Sequence, residues 1–131
     1  MGKPLHREYL EDFADLLAPA LALAGGTHTK EDVADAIAEG TMQFWPGQTS
    51  AIVTQIEVSP RRKTVHFFLA AGNLTELEAM VPSILEWAQI CHGCDGATLS
   101  GRPGWQRSFL AAQGWTTRAV MMGLDFSTGR A

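Results

Sequence analysis

Basic charge is scarce in this sequence. Ten lysines and arginines face fourteen aspartates and glutamates, for a formal net charge of -4. A general nucleic-acid binder needs excess cations to displace phosphate counterions, so no nucleic-acid partner is expected. Long apolar runs are lacking too, and none approaches the length that crosses a bilayer, so no membrane partner is expected. The opening MGKPLHREYLEDF has no apolar segment of the kind a secretory signal carries. His6 and Arg7 stand where a myristoylation motif needs Ser or Thr. The default compartment is the cytoplasm.

Cysteine is limited to Cys91 and Cys94, in CHGC. A structural zinc site takes about four ligands, and there is no second C-x-x-C or H-x-x-x-H. His28, His66 and His92 could complete one only by coincidence of folding, so no metal is expected. A redox pair opens a helix, where the dipole lowers the first thiol's pKa. This pair closes one, and reads as two reduced, half-buried thiols around a helix-to-strand turn.

What is present suits one domain with one core: 131 residues, 46% of them apolar and only 18% charged. A sparsely charged surface points toward partners. Residues 4–24 read as an amphipathic helix, with Leu5, Tyr9, Phe13, Leu16, Leu17, Ala20 and Leu21 on one face. Pro19 should kink or end it. A second helix lies within THTKEDVADAIAEG, capped by Thr29 and closed by Gly40. MQFW reads as a short strand. SAIVTQIEV and KTVHFFLA read as an antiparallel hairpin joined by SPRR. Ile52, Ile56 and Val58 should share one face, as should Val65, Phe67 and Leu69, with His66 pointing away.

Asn73 to Glu76 fits a capping box opening a third helix. Its stripe is Leu74, Leu77, Val81, Ile84, Ala88 and Cys91, with a kink or break expected near Met80 because of Pro82. ATLSG reads as a buried strand. Pro103 starts a fourth helix, Gly114 stops it, and WTTRAVMMGLDF reads as a last strand or pair of strands. Met80, Met121 and Met122 are expected to fill core space. A strand, a long helix and another strand in succession imply a crossover, so the fold class is an α/β sandwich with a mixed sheet.

This order of elements resembles the GNAT family of acyl-CoA N-acyltransferases over residues 27–126. The hairpin at 50–58 and 63–70, the helix at 73–92 and the closing ATLSG, helix and Gly114-Trp115 carry the resemblance. It implies a mixed, largely antiparallel twisted sheet with helices on both faces, plus the N-terminal amphipathic helix at 4–24, in a single domain. GRPGWQR followed by a short helix and GW is similar, more narrowly, to short GNAT-like proteins encoded in tailed-phage and prophage genomes.

The departures from the family are specific. Its cofactor loop reads Gln/Arg-x-x-Gly-x-Gly/Ala, and its amides hold the CoA pyrophosphate. Here only Ala71, Gly72 and Asn73 stand at that place, with no arginine, and Glu76 and Glu78 in the first turns would repel an anion. The family's general-acid Tyr falls at Leu110, and the one tyrosine, Tyr9, is far away in sequence.

In GRPGWQRSFLAAQGW, the glycines and Pro103 read as punctuation, and Phe109, Leu110 and Ala112 as core. Arg102, Trp105 and Arg107 remain, residue types enriched at interface hot spots. The resemblance and its departures imply a non-catalytic GNAT-fold phage protein, a virion structural or assembly component without a cofactor. Its expected partners are other protein chains, phage virion proteins or further copies of itself, in the cytoplasm of an infected bacterial host or in the virion. The alternative is a CoA-dependent N-acyltransferase with a divergent cofactor loop, using acetyl-CoA and His66 or a carboxylate as base. A third reading is a small-molecule or peptide binder with Arg102 as anion anchor.

Overall fold

The computed structural model describes residues 8–101 and 103–126. The chain enters as a π-helical turn, Tyr9–Phe13, and continues as helix α1, Ala14–Ala22. Tyr9 and Leu17 are fully buried, and Phe13, Leu16, Ala20 and Leu21 pack beside them. Leu5 lies outside the described residues. Pro19 is exposed and does not end the helix until its last turn is complete.

Helix α2, Lys30–Glu39, opens on a reciprocal capping box. Asp32 N donates to Thr29 Oγ1 at 3.1 Å, and Thr29 N donates to Asp32 Oδ2 at 2.9 Å. Gly40 closes it in the left-handed region. Its thin apolar face, Val33, Ala34 and Ile37, is buried.

Four strands follow: β1 (Met42–Pro46), β2 (Ala51–Val58), β3 (Lys63–Ala71) and β4 (Gly96–Leu99). They lie in the order β1-β2-β3-β4, the first three antiparallel and β4 parallel to β3. A parallel neighbour needs a crossover, and helix α3 (Leu74–His92) supplies it. The expected break at Pro82 does not occur. Pro82 faces outward, and the Glu78 carbonyl that its missing N–H leaves free accepts from Gln113 Nε2 at 3.3 Å.

The two faces of the sheet carry two cores. Residues of α1 and α2 pack on Met42, Phe44, Ala51, Val53 and Leu69. Leu77, Val81, Ile84 and Ala88 of α3 pack on Ile52, Val65 and Phe67. Leu74 and Cys91, at the two ends of the expected stripe, are exposed, because the sheet does not extend beneath them. Val58 is exposed where β2 runs on past the helical cover.

One irregularity decides the geometry of β3. Val53 pairs with Leu69, but Thr54 pairs with Phe67, so Phe68 is an extra residue. This bulge reverses the alternation. Val65 and Phe67 face α3 while Leu69 faces α1 and α2, so the expected single face for all three residues is corrected.

After β4 the expected fourth helix is two pieces, a 3-10 turn (Pro103–Arg107) and helix α4 (Phe109–Ala112). Ser108 divides them, because its hydroxyl donates to Trp105 O at 2.8 Å and accepts from Leu110 N at 3.2 Å. Leu110 is buried, Phe109 half-buried and Ala112 exposed. The expected last strand is absent among the described residues: 115–126 makes no ladder, and Met121 and Met122 are exposed instead of filling core space.

Candidate functional site

β4 accompanies β3 only as far as the pair Phe67–Leu99. Beyond it β3 runs on through the Phe68 bulge to Ala71 with no strand beside it on that side among the described residues. Aromatic rings pack on the α3 face of the sheet. Trp115 stands edge-on to Phe67 at 5.6 Å, and Trp45 edge-on to Trp87 at 5.0 Å. The indole N–H of Trp45 donates to buried Thr54 Oγ1 at 3.0 Å, which in turn donates to Gln43 Oε1 at 2.9 Å. Trp105 and Phe109 meet edge-on at 6.2 Å and pack on the same core.

The β3–α3 junction, Ala71-Gly72-Asn73, lies at the end of this opening. Gly72 has φ +126, and any Cβ there would overlap Ser50, so neither the conformation nor the space admits a side chain. Asn73 N donates to Ser50 Oγ at 2.8 Å, and Glu76 N to Asn73 Oδ1 at 3.0 Å. Only half of the expected capping box forms, because the Glu76 carboxylate turns away from Asn73. It accepts from Gln48 N at 2.6 Å and Thr49 N at 3.0 Å, closing the β1–β2 turn onto α3. The Ser50 hydroxyl and those two amides hold its carboxyl down at about 2, so it is ionised at neutral pH. A fixed negative charge therefore stands in the first turn of α3.

Two candidate proton-transfer groups stand apart from the junction. Leu110 is buried and offers no proton. Tyr9 is buried on the opposite face, edge-on to Phe44 at 5.7 Å. Burial, and then the charge of Glu31, pushes its hydroxyl above the ordinary value. His66 lies on the α1/α2 side of the sheet, its Nδ1 2.7 Å from Thr98 Oγ1. Burial lowers its pKa, against the opposing pull of Glu57, so the ring is neutral at pH 7. On that side Glu57, Arg61, Arg62, Thr64, Thr98 and Arg118 line a shallow cleft of about 640 Å³.

Of the proposed interaction residues, Trp105 is half-buried against the α3 core and Arg107 is exposed. Arg102 lies outside the described residues. Cys91 is exposed and Cys94 half-buried, both as free thiols, and among the described residues no three His, Cys, Asp or Glu side chains group as metal ligands. No described helix is long and apolar enough to cross a membrane.

Sequence reasoning placed Ala71, Gly72 and Asn73 at the junction and missed Ser50 and the role of Glu76. It also missed Asp95, which accepts from Lys63 N at 3.0 Å and donates its own N–H to Lys63 O at 2.7 Å, pinning the entry of β3 to that of β4.

No protein-family profile matches the sequence, and a comparison with curated proteins yields no match. Solved structures do match. A mutant of TTHA1254 from Thermus thermophilus is 16% identical with a TM-score of 0.63, covering 98% of each chain. Glucosamine-6-phosphate N-acetyltransferase from Arabidopsis thaliana is 15% identical with a TM-score of 0.62, covering 93% of this chain and 94% of that one. An acetyltransferase from Trypanosoma brucei is 15% identical with a TM-score of 0.55, covering 86% of this chain and 94% of that one. The bulged, mixed sheet with helices on both faces thus has the fold of the GNAT acyl-CoA N-acyltransferases.

Proposed function

We propose that this GNAT-fold chain acts through protein contacts and not by acyl transfer. The observation that carries the reading is the Glu76 carboxylate in the first turn of α3. A CoA pyrophosphate would need free amides and positive potential at this helix end. It would meet a fixed anion, the Asn73 amide already bonded to Ser50, and Gly72 pressed on Ser50. These residues do not fit the group. The buried Leu110, in place of an acid, supports the same reading. The resemblance of GRPGWQR and GW to phage-encoded proteins supports a role as a virion structural or assembly component, made in the cytoplasm of the infected host.

A second reading, an N-acyltransferase with a divergent cofactor loop and His66 as base, is favoured by the parting of β3 from β4 past Phe67. Calorimetric titration with acetyl-CoA separates the two. The first reading predicts no heat of binding at millimolar ligand. Saturable micromolar binding would overturn it and direct the work to acceptor amines.

A further inference from the structure

We propose that the cleft lined by Arg61, Arg62 and Arg118 docks an acidic segment of a partner protein, whose carboxylates these guanidinium groups receive. The inference rests on the protein-contact reading above and names the chemistry of the partner at one surface. That surface is at the opposite end of β3 from the β3–α3 junction, where β3 leaves the β2–β3 turn and β4 begins beside it, Thr64 facing Gly96.

The chain as a whole carries a net charge of -4, yet this cleft gathers three arginines against one carboxylate, Glu57. All three arginines are exposed, and among the described residues none of their guanidinium groups is hydrogen-bonded or paired with a carboxylate. Glu57 itself accepts from Gln55 Nε2 at 3.4 Å. The arginines come from two separate stretches, the β2–β3 turn and the segment after Trp115, so the fold and not a local pattern brings them together. Like charges held in one concavity repel, and an incoming anion relieves that repulsion. Gly96 makes room for one of them. The Arg62 guanidinium lies where a Cβ on residue 96 would stand, so it reaches across the start of β4 only because no side chain is there.

Shape and charge identify the occupant. A small-molecule site encloses most of its ligand. This cleft is shallow, and Glu57, Ser59, Pro60 and Thr98 on its lining are exposed. An extended peptide needs no enclosure. Each guanidinium presents a planar fork that takes a carboxylate through two N–H···O bonds. Three such forks suit successive carboxylates along a segment better than one small anion. A nucleic acid fits less well, because so few cations release few counterions and the rest of the chain is acidic. Glu57 excludes a carboxylate from its own side of the cleft, so the segment carries a neutral residue there.

Fluorescence anisotropy of a dye-labelled hexaglutamate peptide with the full chain tests this. At low salt the peptide should bind with a dissociation constant below about 1 mM, weakening as salt is added. Arg62→Gln and Arg118→Gln should each weaken binding about fivefold or more. Lys30→Gln, at an exposed lysine on α2 outside the cleft, should leave it unchanged. Gly96→Ala keeps every charge but displaces the Arg62 guanidinium, and should weaken binding about threefold. Both arginines are exposed, so circular dichroism of their variants should match the wild type. No binding at millimolar peptide, or arginine variants no weaker than Lys30→Gln, would overturn the proposal. So would tighter binding of inorganic phosphate or of a short oligodeoxynucleotide than of the peptide. A chain that binds neither acetyl-CoA nor the peptide would end this proposal and leave the protein-contact reading standing. Micromolar acetyl-CoA binding would end that reading, whatever the peptide does.

Discussion

Glu76 and Gln48 are 28 residues apart in sequence, yet the carboxylate of the first accepts from the amide of the second at 2.6 Å. That bond fastens the β1–β2 turn to the start of α3 and fixes a negative charge in the helix's first turn. The functional reading rests on this contact, and its consequences can be measured.

The first consequence is acid lability. The Glu76 carboxyl is held at about 2, below its ordinary 4.5. Its folded pKa is depressed, so the stability it contributes is present in full above pH 4.5 and lost as pH falls toward 2. Glu76→Gln should have a lower melting temperature than the wild type at pH 7. The gap should narrow from pH 4.5 downward and close near pH 2. A constant gap across that window would mean that the carboxylate is not held by these donors.

Gly72→Ala should destabilise by about 2 kcal/mol or more in urea unfolding, because φ +126 and overlap with Ser50 both oppose a Cβ. Gly104→Ala is the contrast. Nothing lies within 4 Å of a Cβ there and its φ is not in the left-handed region. That substitution should stay within about 0.5 kcal/mol of wild type.

Restoring the family's tyrosine at position 110 should not restore chemistry. Leu110 is only 4% exposed. Leu110→Tyr must force a larger ring and a hydroxyl into packed space, at a cost of about 1–3 kcal/mol. The variant should show a lowered unfolding midpoint and no release of CoA thiol from acetyl-CoA with amine acceptors.

His66 gives a signed test of its surroundings. Burial lowers its pKa and Glu57 partly opposes that effect. The ring should therefore titrate below 6.5 by NMR, and Glu57→Gln should move the midpoint lower still. Because the folded pKa is depressed, the contribution of His66 to stability is present above pH 6.5 and falls as the pH drops below it. A midpoint at or above 6.5, or an upward shift in Glu57→Gln, would contradict the placement.

Much of the fold was legible in the residues, because local chemistry wrote it. Thr29, Asp32 and Gly40 bound α2 at the places their types demand. The β-branched run from Ala51 and the Ser59–Arg62 turn made the hairpin readable, and Leu77, Val81, Ile84 and Ala88 fixed the buried stripe of α3. The Phe68 bulge was hidden, because in VHFFLAA either alternation buries apolar side chains. The fate of Glu76 was hidden for a different reason. Its spacing from Asn73 satisfies a local cap, and only the fold brings the Gln48 and Thr49 amides near enough to compete. Residues 116–126 have the composition of a strand, but strand pairing is non-local, and among the described residues they join no ladder.

The most direct test of the account is an NMR titration of isotope-labelled protein with CoA, following the backbone amides from Ala71 to Leu77. These resonances should stay in place at millimolar CoA, since Glu76 and Asn73 leave no anion site at the start of α3. Saturable shifts of the Leu74 and Thr75 amides, fitting a micromolar dissociation constant, would contradict it and establish a working cofactor grip.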